Sequence, residues 1–73
     1  MKIYTIAQFD QHGIPFRYLN LDQTKNVWVR ELTESCLTFN LAMLEKIAEE
    51  LGAFVVTYNL EREMPKIYRG GQP

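Results

Sequence analysis

Apolar residues recur at two different spacings along the chain, and the change between them marks its elements. In "FNLAMLEKIAEELG", Leu41, Leu44, Ile47, Ala48 and Leu51 fall at helical intervals, with Glu45, Lys46, Glu49 and Glu50 opposite. This pattern predicts an amphipathic helix. Asn40 is placed to cap it by accepting from a free amide of the first turn. Phe39 and Leu44 then hold the two positions of a hydrophobic staple. Gly52 ends it, because glycine readily takes the left-handed conformation found at helix C-termini. After Gly52 the period drops to two, and "GAFVVTYNL" predicts a strand that runs to about Leu60, folded back beside the helix. Phe54, Val56, Tyr58 and Leu60 stand on one parity, Ala53 and Val55 on the other, so this strand seeks cover on both sides.

The first half reads as strands. "KIYTIAQF" is rich in β-branched and aromatic residues, and "DQHG" supplies turn chemistry after it. Gln11-His12-Gly13 fits a three-residue hairpin loop with glycine in the left-handed last position, Asp10 facing Ile14. Pro15 follows where a missing amide costs least, at an edge or a bulge. "FRYLNL" and "NVWVREL" flank the polar "DQTKN", which predicts a second hairpin. An irregular link, "TESCLT", leads to the helix. The expected fold is α+β: an antiparallel sheet of three to four strands in the order ββ(β)αβ, with one helix on one face. Residues 1–63 form its single domain, and 64–73 a partly flexible tail that Ile67 and Tyr68 could pin to the body.

Hairpin registers sort the side chains into faces. Pairing Leu21 with Val27 sets Leu19 against Val29 and Arg17 against Glu31, with Ile3, Ala7 and Phe9 joining this aliphatic side. The other side then carries Tyr4, Ile6, Phe16, Tyr18, Trp28 and Arg30. A helix covers one face of a sheet only, so the second would present an aromatic patch with an arginine in it, of the residue types common in binding hot spots. A one-residue slip exchanges every assignment and puts Trp28 in the core; alternatively, the tail covers the second face.

Size sharpens the question of cover. A chain of 73 residues sits near the lower limit for a fold held by its core alone. Cys36 is the only cysteine and His12 the only histidine, so the sequence predicts no internal disulfide, no metal site and no cofactor. Composition is that of a folded protein, 47% hydrophobic and 23% charged, and the net charge of −1 gives no field toward nucleic acid or anionic membrane. No run is long enough to span a membrane, and the N-terminus lacks signal-peptide features, so a cytoplasmic location is expected.

Candidate chemistry is sparse. His12 and Asp10 fall in a turn that favours such residues for conformational reasons. Cys36 reads as a small buried apolar residue rather than a nucleophile. Glu45, Glu49 and Glu50 form an acidic stripe, read either as a solvated face or as a dock for a basic partner. No catalytic residue is predicted.

The order "FNLAMLEKIAEELGAFVVTYNLE" after a strand-rich half resembles small proteins of bacteriophages and mobile elements, several anti-CRISPR proteins among them. The resemblance implies a compact protein that acts by binding, often by blocking a host complex. The expected function is therefore non-enzymatic protein binding by an accessory or inhibitor protein. Its partner would be foreign or a second copy, met through Tyr4, Phe16, Tyr18, Trp28 and Arg30, or through Glu45 and Glu49. The alternative is a single-stranded nucleic-acid binder stacking bases on the same aromatics.

Overall fold

The structure, a computed structural model, describes residues 1–61. Its elements are β1 (Lys2–Phe9), β2 (Pro15–Asn20), β3 (Val27–Val29), a 3₁₀ turn at Glu34–Cys36, α1 (Leu41–Leu51) and β4 (Phe54–Asn59). The strands form one antiparallel sheet in the order β3-β2-β1-β4, with α1 on one face. The expected α+β architecture is thus present, with both hairpins and the last strand. The tail contacts expected of Ile67 and Tyr68 lie outside the described residues.

The helix ends where its caps dictate. Asn40 Oδ1 accepts from the Met43 amide at 3.1 Å, and Gly52 takes φ 63° just past the last turn. Leu44 and Ala48 enter the core, together with Ile6 and Leu19 of the sheet. The staple does not carry that burial. Phe39 remains 60% exposed, while Leu44 is fully buried against the sheet.

The first hairpin closes as its turn residues require. Asp10 Oδ1 accepts from the amides of His12 and Ile14, the Asp10 amide donates to the Ile14 carbonyl, and Gly13 sits at φ 75°. With Asp10 and Ile14 bonded, ladder alternation leaves Phe9 and Pro15 a pair that needs no amide from proline. The next pair is Gln8 with Arg17, so Phe16 is an extra residue in β2.

That bulge overturns the predicted faces. Ala7, not Ile6, lies opposite Tyr18. The second hairpin differs by one residue as well: Asn20 pairs with Val27, Leu19 with Trp28 and Tyr18 with Val29, in place of the Leu21–Val27 register and the Tyr18–Arg30 and Arg17–Glu31 pairs expected from it. Tyr4, Ile6, Leu19, Leu21, Trp28 and Val55 therefore share the helix side. Ile3, Thr5, Ala7, Phe9, Tyr18, Val29, Phe54, Val56 and Tyr58 face the other way. Against the expectation, Tyr4, Ile6 and Trp28 lie on the helix side and Ile3, Ala7, Phe9 and Val29 on the far side, while Leu19 and Tyr18 keep the sides expected of them.

The second face does not wait for a partner at its centre. Thr5 and Ala7 are fully buried there, and Leu32 and Cys36 from the link are buried outside the helix-side cluster. The 3₁₀ turn packs against β2. The paired rungs of β1 and β2 end at Ala7 and Tyr18, and beyond them the link takes up backbone groups of both strands. Tyr4 exchanges two backbone hydrogen bonds with Thr38 (2.9 and 3.0 Å), and Leu21 donates to the Ser35 carbonyl at 2.8 Å. A segment expected to be a mere connection is thus part of the fold.

Candidate protein-binding surface

At the hairpin end of the sheet, apolar side chains gather on the surface. Phe9 and Phe54 meet edge to face, with ring centroids 5.8 Å apart. Phe54 is nonetheless 64% exposed and Phe16 45% exposed. Between them runs an open groove of about 240 Å³, lined by Gln8, Phe9, Phe16, Gly52, Ala53 and Phe54. The Phe16 bulge places that ring at the groove, and Gly52 and Ala53 complete the lining where the helix hands over to β4. Small-molecule sites usually span roughly 300–1,000 Å³. This groove suits one or two side chains of a partner better than a cofactor.

Arg17 extends the surface toward β3. Its guanidinium lies 5.3 Å from the Phe16 ring centroid and 5.5 Å from that of Trp28, and its Nε donates to Gln8 Oε1. A guanidinium held over aromatic rings at such distances makes the cation–π contact that arginine favours. The sequence pointed to Arg30 as the arginine of the patch. Arg30 is exposed just beyond β3, and the stacked residue is Arg17. What brings the two together is the register of the second hairpin, which pairs Leu19 with Trp28 and so sets Trp28 on the side of Arg17.

The other expected contact residues are dispersed. Tyr4 packs half-buried against the helix-side core, Tyr18 lies half-buried on the opposite face, and Trp28 is half-buried beside Leu19. Phe16 keeps its exposure and gains Phe54 and Phe9 as neighbours, neither of which the predicted site included. His12 serves the turn through its amide, and Cys36 is a buried thiol within 3.4 Å of Thr33 Oγ1.

A second feature adjoins Phe54. Tyr4 spends both backbone groups on Thr38, on the side of β1 away from β4. Alternation then directs Ile3, Thr5 and Ala7 to β4, where they meet Tyr58, Val56 and Phe54. The bond from the Leu60 amide to the Met1 carbonyl, 2.8 Å, keeps the same phase. Val55 and Thr57 must therefore turn their N–H and C=O groups outward. Among the described residues no strand lies on that side. β4 carries no charge, proline or bulge, the devices by which natural edge strands are usually guarded.

The helix overlooks this edge. α1 packs on β1 and β4. Ile47, Glu50 and Leu51 flank a hollow on the side of β2 and its following loop. At 100° per residue, Leu41, Glu45 and Glu49 then occupy the opposite flank, above β4. Glu45 and Glu49 are exposed, and the one ion pair among the described residues joins the N-terminus to Glu61 at 3.0 Å. No helix among the described residues is long and apolar enough to cross a membrane. Comparison of the chain with protein-family models, curated proteins and solved structures gives no match.

Proposed function

We propose that the chain is a non-enzymatic protein-binding protein, an accessory or inhibitor, whose contact surface is the aromatic end of the sheet. The observation that carries this is the exposure of Phe54 and Phe16 on either side of an open groove of about 240 Å³. Large apolar rings left on a chain this small hold back burial that a partner would complete, and a stacked arginine beside them adds a specific polar contact. The resemblance to phage-borne inhibitors implies a host complex as the target, with this end as the blocking surface. A cytoplasmic location goes with it, since Cys36 is a buried unpaired thiol.

The nucleic-acid alternative draws less support. Tyr18 and Trp28 stand on opposite faces, so they form no common stacking platform, and Arg17 is already engaged by Phe16, Trp28 and Gln8. Affinity capture from a lysate of the source cell decides between the two. Proteins retained by the wild type should be lost by the Phe16→Ser/Phe54→Ser variant and should survive nuclease treatment. Retention unchanged by that variant, or abolished by nuclease, would contradict the proposal.

A further inference from the structure

We infer that the outer edge of β4 receives an extended segment of a partner protein in which basic and apolar residues alternate, added to the sheet as a new strand. This rests on the protein-binding reading and names the partner's chemistry, but it uses the strand edge rather than the groove. The outward N–H and C=O groups of Val55 and Thr57 offer a ready ladder, and strand addition to an exposed edge is a recurring mode of peptide recognition. Side chains of an added strand would alternate between two unlike surroundings. On the lower face they would meet Phe54, Val56 and Tyr58, which calls for apolar residues. On the helix side they would meet Val55 and Thr57, with the exposed Glu45 and Glu49 on the flank of α1 toward β4. That calls for lysine or arginine, whose stem can pack on Val55 while the charge reaches the carboxylates.

Charge also selects against the simplest other occupant, a second copy. Pairing β4 with itself about a two-fold axis would set α1 beside its image at two strand spacings, about 10 Å. That is a helix-packing distance. It would bring Glu45 and Glu49 against their own copies, like charges with no counter-ion between them. A basic segment turns the same residues from a penalty into a contact.

The probe is a fluorescent seven-residue peptide alternating lysine with valine, titrated into the full chain and followed by anisotropy. Its controls are a scrambled peptide of the same composition and one with glutamate for lysine. The alternating basic peptide should bind, and both controls should bind at least roughly tenfold more weakly. Thr57→Pro removes an outward amide without touching the β1–β4 ladder, and it should weaken binding roughly tenfold, as should Glu45→Gln/Glu49→Gln. Equal binding of the scrambled peptide, indifference to Thr57→Pro, or no binding at millimolar peptide would overturn the inference. So would sedimentation of the free chain at twice its 8.6 kDa mass with Thr57→Pro restoring the monomer, which would give the edge to a second copy. Because Thr57→Pro leaves Phe16 and the groove intact, lysate capture that depends on Phe16 while the peptide fails would dismiss the edge and leave the protein-binding proposal standing.

Discussion

Thr5 lies at the centre of the second face, fully buried and opposite Val56, and its hydroxyl is a buried oxygen without a hydrogen-bond partner. A hydroxyl that gives up water and gains nothing in return weakens a fold, by about 1–3 kcal/mol. Valine has nearly the same shape without that group. Thr5→Val should therefore raise the stability of the chain by about 1 kcal/mol in urea unfolding, with an unchanged slope. A loss of stability would mean that the hydroxyl is satisfied. Asn40 and Gly52 illustrate the opposite case, in which one residue meets a local need. Asn40 gives an orphan amide its acceptor, and Gly52 holds a left-handed conformation in which other residues are strained. Both were legible in the sequence because capping chemistry is decided within a few residues.

The elements themselves were legible for a similar reason, and their registers were not. "FRYLNL" carries large apolar residues on both parities, Phe16 and Tyr18 against Leu19 and Leu21. Period alone cannot choose a face for such a strand. The choice was made by one extra residue at Phe16 and by a loop one residue longer than a strict reading of "DQTKN" gives. Neither has a local signature, since both are properties of how two strands pair and not of either segment alone. The consequence is energetic as well as geometric. Trp28 packs beside Leu19 against the helix-side core, so it supports folding rather than a docking patch. Trp28→Ala should cost about 2–3 kcal/mol in unfolding free energy, at the low end for large-to-small changes because the ring is half-buried. An effect within about 0.5 kcal/mol, the range of ordinary surface substitutions, would restore Trp28 to the surface.

At the scale of the whole molecule, the sequence placed the surface that lacks cover on the far face of the sheet, and the described residues place it elsewhere. The link between β3 and α1 supplies Leu32 and Cys36, and the centre of the second face is closed from within. Among the described residues, what remains open is one end and one side: the groove bounded by Phe16 and Phe54, and the outer edge of β4. Both-parity apolarity in "GAFVVTYNL" suggested a strand sheltered all round, yet the strand lies at the border of the sheet, with Phe54 in solvent. Only the pairing of β4 with β1 reveals this, and pairing between the two ends of a chain leaves no mark on either segment alone. An edge strand with outward amides, flanked by Glu45 and Glu49 of α1, is the feature on which the proposed partner's chemistry rests. Amide hydrogen exchange read residue by residue by NMR tests that feature most directly. Val56 and Tyr58, bonded to β1, should be protected, while Val55 and Thr57 should exchange quickly, giving an alternation along β4. Uniform protection of all four amides would mean that the edge is already paired, and the account of an open strand would be wrong.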